Sequence, residues 1–565
     1  MKKKIFAALT AAVMAVTATA SVQGLSVTAN DDMLIPVDFS VYGTGCLEDE
    51  DIMMENAEDM EDDLPLDRAI LPTAVDLSAD AAFPPIRNQG IINSCTAWAT
   101  TYYTYTYMVH YAKGITSTYD NSYSPRWTYN LTNYGVDAGS SISDAFTVLR
   151  KQGALTNSEH PYTTNGNYSL DWSHDTQAMI NALSTRADGK NQVQVPKTYT
   201  TSFQTNLNTI KAGLNNHTPY VVSAYVSSQW ANATFKTCAD SGHLGEYICV
   251  RNAEFSSTGI KTHAMTVVGY DDSIWCDVNG NGSVDTGETG AFKLANSWGT
   301  SWKNSGYVWV LYDALLGVSR INSAQDNTVT WDYTMTTTRN PVFAKSYNVN
   351  YFNYLTGVSD HVVGFVSEVT LSTSRRNQLY ANAVCTNWSL TPVENNQIYP
   401  TSETTNPDPG TACSFSGTIV LNHACSEDIA YFINGYNYGV KILDNMNDDY
   451  SISVTNCKIA DSCNNTVLSY CSNVTINNTV QTHYTSIDFY HGDVDYSGVL
   501  TQDDAVMILS YLSGNTVFSN VQLYLADYDY DGVVGISDVI AIQQHLANRG
   551  MDVSALSTEM QKLGL

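Results

Sequence analysis

The stretch QGIINSCTAWA, from Gln89 to Ala99, decides how the rest of the sequence is interpreted. It places Cys95 directly after the turn-forming pair Asn93-Ser94, where a helix is predicted to begin. Far downstream, THAMTVVGYDD carries His263 and LANSWGTSW carries Asn296. A thiol nucleophile, a base that ionises it and an amide that orients the base are the groups that covalent acyl transfer uses.

The position of Cys95 predicts an activated thiol. The thiolate is the nucleophile, and a cysteine at a helix N-terminus beside an imidazolium has a lowered pKa. His263 begins the strand HAMTVVGY, so its ring is predicted at a strand end that faces Cys95 across a cleft. Gln89 lies six residues before the cysteine and offers a side-chain donor for an oxyanion. The predicted catalytic residues are therefore Gln89, Cys95, His263 and Asn296.

The combination QGxxxSC, HAMxxxGY and NSWGxxW, in this order, resembles the papain family of cysteine peptidases over roughly residues 71–320. The resemblance implies an α+β fold with a helical half and a β-barrel-like half, and hydrolysis of peptide bonds as the reaction. It also implies that Trp298 and Trp302 shield the hydrogen bond between His263 and Asn296 from water.

Three positions near the nucleophile depart from the family pattern. Thr96 stands where tryptophan is usual, Ile92 where a disulfide cysteine is usual, and Asn93 where glycine is common. Two alternatives therefore stay open: a catalytically weak relative that acts as a binding or scaffold component, and another Cys-His acyl transferase or amidase, such as a transglutaminase or a cell-wall amidase. The intact catalytic set argues against the first alternative. Gln89 and the NSWG segment favour the papain family over a transglutaminase or a cell-wall amidase.

Residues 277–288, DVNGNGSVDTGE, carry oxygen side chains at the spacing of an EF-hand calcium loop, with Gly282 at the sixth position. The alternative is a turn rich in Asp and Gly. The predicted calcium ligands are Asp277, Asn279, Asn281, Ser283 through its carbonyl, Asp285 and Glu288.

The pattern recurs twice near the C-terminus, in HGDVDYSGVLTQDDAVMILSYLSG and LADYDYDGVVGISDVIAIQQHLAN, and each loop leads into an apolar helix. The first predicted ligand set is Asp493, Asp495, Ser497, Val499, Thr501 and Asp504, and the second is Asp527, Asp529, Asp531, Val533 and Asp538. Calcium is thus the predicted structural cofactor. The alternative to a tail that binds a partner is a tail that calcium stabilises without a partner.

This duplicated loop and helix resembles dockerin modules. The resemblance implies a small α calcium-binding module whose partner is a cohesin module of a cellulosomal scaffoldin. Loop positions 10 and 11, which help to face the cohesin in that family, are Gln502 and Asp503 in one repeat and Ile536 and Ser537 in the other. The unlike pairs predict a single binding mode.

The bulk composition excludes some partners and predicts export. The net charge of −29 argues against nucleic acid and anionic membrane surfaces, which require a basic face. Three lysines before a short apolar run that ends in small residues predict a secretory signal peptide. No later stretch is long and apolar enough to cross a bilayer. We therefore expect a secreted, extracellular protein, attached to a cell-surface or released cellulosome.

Eleven cysteines are compatible with export, because disulfides form outside the cytosol. Cys238 and Cys249 are candidates for pairing with each other, and six more cysteines lie between Cys385 and Cys471. The acidic block LEDEDIMMENAEDMEDD predicts either a disordered solvated tail or a propeptide that is removed on activation.

A chain of 565 residues predicts several domains. Residues after 325 change to short alternating runs rich in Ser, Thr, Asn, Val and Tyr, which favour an all-β sandwich that serves as a spacer or binds protein or sugar. The predicted order is a signal peptide at 1–29, an acidic propeptide-like segment at 30–70, a papain-like peptidase domain at 71–324, a β-rich module at 325–488 and a dockerin at 489–565.

Overall fold

The computed structural model describes residues 44–47, 71–133, 137–163, 176–226, 235–250, 261–321, 349–361, 363–376, 379–386, 393–397, 415–423, 437–444, 450–462, 467–470, 474–476, 480–486, 490–551, 553–554 and 558. The predicted signal peptide and the acidic block after Leu47 lie outside these residues. Within them, no helix combines the length and the apolar character that a membrane crossing requires.

A buried helical run begins at Cys95, as the sequence predicts. It consists of α1 (Cys95–Ala97), a π-helical stretch (Trp98–Tyr105) and α2 (Thr106–Lys113). Gly114 ends the run with a φ of 64°, in the left-handed region that favours glycine at this position. Every residue from Cys95 to His110 is buried. The run is therefore the core of the helical half of the fold.

Four further helices complete the described part of the helical half. Three of them have a Ser or Thr N-cap, Ser124, Ser141 and Thr200, whose side chain accepts a backbone N–H of the first turn. These helices are α3 (Pro125–Thr132), α4 (Ile142–Lys151), α5 (Thr176–Leu183) and α6 (Thr201–Asn215). Short 3-10 turns lie at Leu77–Ala79 and Tyr312–Leu315.

The other half of the peptidase segment is built on a mixed sheet. Its strands are β1 (Ala74–Asp76), β3 (Lys190–Pro196), β4 (Tyr220–Val226), β5 (Phe235–Thr237), β6 (Tyr247–Cys249), β7 (Lys261–Trp275), β8 (Thr289–Ala295), β9 (Tyr307–Leu311) and β10 (Val349–Leu355). The order is β3-β10-β4-β7-β8-β9-β6-β5, with β1 on β7. Among the described strand pairs of this sheet, β6–β9 is parallel and the others are antiparallel.

The long strand β7 gives the site its shape. Its first residues pair with β4 on one side, whereas pairing with β8 on the other side starts only at Thr266. The residues around His263 therefore keep one strand edge that is not covered by β8. That edge faces the N-terminus of α1, since the Ala264 N–H donates to Cys95 Sγ.

One strand of this sheet comes from beyond residue 324. Strand β10 lies between β3 and β4, and Asn350 donates from Nδ2 to the carbonyls of Val195 and Leu315. A two-stranded ribbon forms from β2 (Thr185–Ala187) and β11 (Val358–Asp360). This sheet and its ribbon therefore include residues up to 360, which the sequence analysis assigned to the β-rich module.

The following region forms two antiparallel sheets, in keeping with the predicted sandwich. Its strands are β12 (Phe365–Thr373), β13 (Leu379–Thr386), β14 (Val393–Gln397), β15 (Phe415–His423), β16 (Asn437–Asp444), β17 (Ile452–Asp461), β18 (Val467–Tyr470), β19 (Val474–Ile476) and β20 (Val480–Ser486). One sheet has the order β15-β12-β17-β18 with β19 on β17, and the other β14-β13-β16-β20.

The C-terminal tail, defined here as residues 490–551, is helical: α7 (Gln502–Leu512), α8 (Asn520–Ala526) and α9 (Ile536–Asn548). Its apolar residues form one core with Phe365, Tyr438 and Ile459 of the β-rich module. Asp461 Oδ2 accepts hydrogen bonds of 2.7 Å from Tyr496 Oη and from Ser519 Oγ. The tail is therefore packed onto the β-rich module through its first repeat.

The predicted pairing of Cys238 with Cys249 is wrong in this structure. Both are buried thiols, and Cys249 lies in β6, where its backbone pairs with β5 and β9. Cys238 lies after β5, where burial raises the pKa of its thiol to about 12 and the neighbouring Cys276 thiol adds to the rise. Within the β-rich module, Cys457 is disulfide-bonded.

Candidate active site

Cys95 stands at the first position of α1 and is fully buried. A residue at this position has no intrahelical acceptor for its backbone N–H, and the helix dipole places partial positive charge there. The Ala264 N–H donates to Cys95 Sγ at 3.4 Å, which fixes the thiol against the uncovered edge of β7. Both features favour a sulfur anion at Cys95.

His263 and Asn296 form a hydrogen bond of 2.7 Å between Nε2 and Oδ1. The same Oδ1 accepts the Ser297 N–H at 2.7 Å, which identifies this amide atom as the oxygen. His263 Nε2 must therefore be the donor, and in the neutral ring Nδ1 is left as the base. His263 Nδ1 is buried and makes no hydrogen bond. It is thus available to a proton from Cys95.

Aromatic side chains shield this hydrogen bond, as expected from the sequence. Trp298 stacks on the His263 ring at 4.4 Å between centroids, and Trp302 meets Trp298 edge-on at 5.4 Å. Tyr103, from the π-helical stretch, donates from its hydroxyl to the Asn296 carbonyl at 2.9 Å. The His263–Asn296 pair is completely buried, so water does not compete for it.

Gln89 is held on three sides. Its backbone N–H donates to the Ser297 carbonyl at 2.8 Å, its Oε1 accepts the Ser297 hydroxyl at 2.5 Å, and its Nε2 donates to the Ile92 carbonyl at 2.8 Å. An amide Nε2 carries two protons, so one remains for a ligand. The structure thus brings together all four of the residues that the sequence proposed as catalytic.

Two residues that the sequence analysis did not select support this arrangement. Tyr162 donates to the Gln89 carbonyl at 2.8 Å and also bonds the Ser94 hydroxyl at 2.7 Å. Asp137 accepts the Asn93 N–H at 2.9 Å and the Tyr129 hydroxyl at 2.5 Å. Both hold the loop before Cys95 through contacts distant in sequence, and no local pattern marks them.

Burial makes the pair neutral in this structure. It raises the pKa of the Cys95 thiol well above its usual range, and the neighbouring Cys46 thiol adds to the rise. It also lowers the pKa of His263 to about 4, partly opposed by the hydrogen bond to Asn296. Each charge alone is disfavoured here, so the thiolate and imidazolium require a more open cleft.

A short segment, Thr44–Leu47, covers the site. The N–H groups of Gly45 and Cys46 both donate to the Thr262 carbonyl at 3.3 Å. On the other side, the Leu47 N–H donates to the Ser140 carbonyl at 3.0 Å and the Ser140 N–H donates to the Gly45 carbonyl at 2.9 Å. The segment, part of the predicted acidic propeptide-like region, thus spans the cleft between Thr262 and Ser140, with one isolated β-bridge from Cys46 to Ser140.

The two loops of the tail bring carboxylates together. Ligand oxygens of Asp493, Asp495 and Asp504 lie within 4.8 Å of one another, and so do those of Asp527, Asp529 and Asp531. Burial, with Asp495 alongside, raises the pKa of Asp493. Asp527 Oδ1 is buried and makes no hydrogen bond. Clustered, partly buried oxygens fit a hard cation such as calcium.

The remaining predicted ligands of the tail have the positions that the loop pattern requires. Gly498 and Gly532 adopt positive φ and donate N–H to Asp493 and Asp527, respectively. Asp504 and Asp538, at the twelfth positions, are buried and accept N–H groups of their own loops. Ser497, Val499, Thr501 and Val533 lie on the same two loops.

The inserted loop at 277–288 differs in how its oxygens are satisfied. Asn279 and Asn281 each donate from Nδ2 to Asp285 Oδ2 at 2.6 Å. Glu288 is buried and accepts the N–H groups of Val278 and Asp285. Among the described residues, close trios of acidic or other metal-ligating side chains occur in the tail and not in this loop. Rotation of the Asn279 and Asn281 amides would turn their oxygens toward the centre of the loop. Asp277 and Ser283 are the other predicted calcium ligands of this loop.

Residues 71–325 match the family model described as "Papain family cysteine protease". No curated protein matches the chain. Among solved structures, the chain is similar to digestive procathepsin L 3 of Tenebrio molitor, with 18% identity and a TM-score of 0.30, over 43% of this chain and 66% of that chain. It therefore spans just under two thirds of that relative.

Two further structures are similar at the same level. Bromelain of Ananas comosus, in complex with the E64 inhibitor, shows 15% identity and a TM-score of 0.31 over 50% of this chain and 99% of that chain. Procathepsin B S9 of Trypanosoma congolense shows 16% identity and a TM-score of 0.32 over 48% and 80%. At these identities and TM-scores, only the match of residues 71–325 to the family model indicates the family.

Proposed function

We propose that this protein, whose residues 71–325 are a papain-family cysteine protease domain, is a secreted endopeptidase that acts through Cys95, His263 and Asn296. The observation that carries the proposal is the hydrogen bond from His263 Nε2 to Asn296 Oδ1. It leaves His263 Nδ1 unbonded and buried beside the strand edge that holds Cys95 Sγ. This arrangement supplies a nucleophile, its base and the group that orients the base.

In the proposed reaction, Cys95 Sγ attacks the carbonyl carbon of the scissile peptide bond while its proton passes to His263 Nδ1. The Cys95 backbone N–H and the remaining Gln89 Nε2 proton hold the oxyanion. His263 then gives its proton to the leaving amine, which departs and leaves a thioester. Water attacks the thioester after losing a proton to His263, and the acid and the thiol are released.

The first test is peptide hydrolysis by the protein after removal of the chain before residue 71. We expect cleavage of internal bonds in a denatured protein substrate, and no cleavage by Cys95→Ala or His263→Ala. Amine-acceptor and peptidoglycan substrates, assayed in parallel, distinguish the acyl-transferase and amidase alternatives. Cleavage of peptidoglycan alone, or incorporation of amine without hydrolysis, would contradict the proposal.

Complete burial of Cys95 supports an inactive precursor. A substrate carbonyl cannot reach a sulfur with no exposed surface, and the segment Thr44–Leu47 forms part of its cover. We therefore propose that residues 30–70 are a propeptide removed on activation, and that the signal peptide at residues 1–29 directs export. N-terminal sequencing of the exported and activated forms tests both cleavages. A catalytically weak relative would remain inactive after removal of the propeptide.

The tail supports a second part of the proposal, a calcium-loaded dockerin that docks the peptidase to a cohesin of a cellulosomal scaffoldin. Its two acidic loops each precede a helix, and calcium would neutralise their clustered carboxylates. The loops are not equivalent: Tyr496 is bonded to Asp461, whereas Tyr530 at the same loop position is 69% exposed. This difference supports a single binding mode through the second repeat.

Titration of the protein with a panel of cohesin modules, with calcium and with a chelator, tests this part. We expect binding that is lost on chelation, and that falls when Ile536 or Ser537 is changed but not when Gln502 is changed. Binding that survives chelation, or no binding to any cohesin while calcium is taken up, would contradict it. The inserted loop, with Asp277 to Glu288, is proposed as a third calcium site that rigidifies the connection between β7 and β8.

A further inference from the structure

The segment Thr44–Leu47 packs in the cleft with close contacts between backbones. A Cβ on Gly139 would lie 2.2 Å from the Gly45 carbonyl oxygen, and a Cβ on Gly45 would lie 2.4 Å from the Asn93 carbonyl oxygen. Both glycines also have positive φ, so a side chain is disfavoured there on two counts. The path of the segment is therefore fixed at Gly45, and with it the position of the next residue, Cys46.

Cys46 lies beside the proposed nucleophile. Its N–H donates to the Thr262 carbonyl, and Cys95 Sγ accepts the Ala264 N–H. The carbonyl of one strand residue and the amide two residues later lie on the same edge of the strand, about 7 Å apart at most. Thr262 also donates from its hydroxyl to the Cys46 carbonyl. Two buried thiols thus occupy adjacent places along one edge of β7.

We propose that Cys46 locks the precursor by forming a reversible disulfide with Cys95 when a small disulfide oxidises the pair. This regulation rests on the proposed function, since Cys95 is the residue it would protect. A segment held only by hydrogen bonds can be displaced by a competing peptide. A covalent bond to the nucleophile blocks both displacement and attack until a thiol reduces it.

The exchange balances with one small disulfide. Both thiols are buried in the closed form, so the exchange begins when the segment opens. A thiolate of one cysteine then attacks the small disulfide and expels the first small thiol, which leaves a mixed disulfide on the protein. The second cysteine attacks the protein-bound sulfur and expels the second small thiol. Two electrons and two protons pass from the pair to the small disulfide, and a bond forms between Cys46 Sγ and Cys95 Sγ. Excess thiol reverses both steps.

The Thr44–Leu47 segment also suits the role mechanically. Bonds on both of its sides, to Ser140 and to Thr262, hold Cys46 in place before any covalent bond forms. Pre-positioned partners raise the effective concentration of one thiol at the other. The other described thiols, Cys238, Cys249 and Cys276, lie away from this strand edge and offer matched controls.

The test uses the full chain with glutathione disulfide as oxidant. Wild type, Cys46→Ser and the control Cys238→Ser are oxidised, digested without reduction and mapped by mass spectrometry. A parallel sample is treated with a thiol-alkylating epoxide before and after reduction with dithiothreitol. Cys46→Ser keeps the backbone hydrogen bonds of the segment, and Cys46→Ala is a second variant if the serine disturbs folding.

We expect a linked peptide that contains Cys46 and Cys95 in wild type and in Cys238→Ser, and none in Cys46→Ser. When the full chain is oxidised first and cleaved with trypsin afterwards, epoxide labelling of Cys95 is at least about tenfold lower than in wild type trimmed without oxidation, and it returns with dithiothreitol, since a disulfide sulfur is not a nucleophile. A wild type in which Cys95 carries glutathione as readily as in Cys46→Ser would overturn the lock.

Failure of the lock and failure of the proposed function give different results. If the trimmed, reduced protein cleaves peptides but no linked peptide forms, only the lock is wrong. If the linked peptide forms but the trimmed, reduced protein cleaves nothing, the lock holds as thiol chemistry and the endopeptidase proposal is wrong.

Discussion

The cleft at Cys95 and the acidic loops of the tail both contain clustered ionisable side chains, but they differ in which groups pair with those side chains. In the cleft, Asn296, Ser297 and Ile92 pair with His263 and Gln89, so every orienting partner comes from the chain. In the tail, the carboxylates come together with one another. We infer that the cleft needs only to be uncovered, whereas the tail needs a cation from outside.

The substitution with the largest expected effect is in the cleft, and its effect should be confined to the cleft. Cys95→Ala, in the protein trimmed before residue 71, should lower kcat/KM for peptide hydrolysis by about 10³-fold or more, because the covalent route is removed. Cohesin and calcium binding should not change. Cys238→Ala, which removes a buried thiol elsewhere, is the matched control. A comparable loss in the control would show that the effect is structural.

Loss of the orienting amide should have a smaller effect. Asn296→Ala removes the acceptor that holds His263 in the tautomer with a free Nδ1, so kcat should fall by about 10²-fold while KM changes little. Asn296→Asp keeps an acceptor and should recover part of the rate. An unchanged kcat in Asn296→Ala would mean that Trp298 stacking alone orients the ring.

Calcium removal should act on the tail and leave the cleft nearly unaffected. Chelation removes a stabilisation of about 2.7 kcal/mol at calcium concentrations a hundred times Kd. Hydrogen exchange in α7 and α9 should accelerate, whereas exchange in β7 should change less. The contrary result, equal acceleration in both regions, would mean that the inserted loop at 277–288 contributes as much as the tail.

In the calcium-free protein, pH should change the stability of the tail in a defined direction. Burial raises the pKa of Asp504 to about 6, above about 3.9 for an unfolded aspartate. The folded state therefore binds the proton more tightly, so this contribution to stability is complete below about pH 4 and is lost as pH rises through about 6. Thermal unfolding of the chelated protein from pH 4 to 7 measures it; Asp504→Asn should flatten the profile.

The hydroxyl of Tyr496 in the first repeat of the tail should contribute slightly more to the free energy of unfolding than the hydroxyl of Tyr530 in the second. Tyr496→Phe removes the hydrogen bond to buried Asp461 and should cost about 1 kcal/mol of unfolding free energy. Tyr530→Phe changes a hydroxyl at an exposed position and should cost close to nothing. Equal effects in chemical denaturation would contradict the account of an anchored first repeat and an open second one.

The candidate catalytic residues could be located from the sequence because each lies in a local motif with a distinctive chemistry. The start of the helix at Cys95 and the strand at His263 are likewise encoded locally, by a turn before the helix and by the mostly apolar run of HAMTVVGY. The acidic loops carry their ligand spacing within twelve residues. A papain-like peptidase fold with mixed sheet and helices is what these local signals, together with the family model, establish.

What the sequence could not provide depends on contacts between distant residues. Tyr162 reaches Gln89 across 73 positions, and its Pro-Tyr context has no special pattern. Strand β10 enters the peptidase sheet from beyond residue 324, because its partners β3 and β4 leave a gap that local periodicity does not reveal. The cover by Thr44–Leu47 rests on backbone hydrogen bonds to Ser140 and Thr262, which lie far away in the sequence, so no local pattern predicts it.

One measurement tests the central claim, that Cys95 is a nucleophile activated by His263 in a cleft closed by the chain itself. A biotinylated epoxide that alkylates papain-type thiolates is added to the full and the trimmed protein, and the label is mapped by mass spectrometry. We predict labelling at Cys95 in the trimmed protein, little in the full protein, and none in trimmed His263→Ala. Labelling that persists in His263→Ala, or that is absent from the trimmed protein with calcium present, would contradict the account.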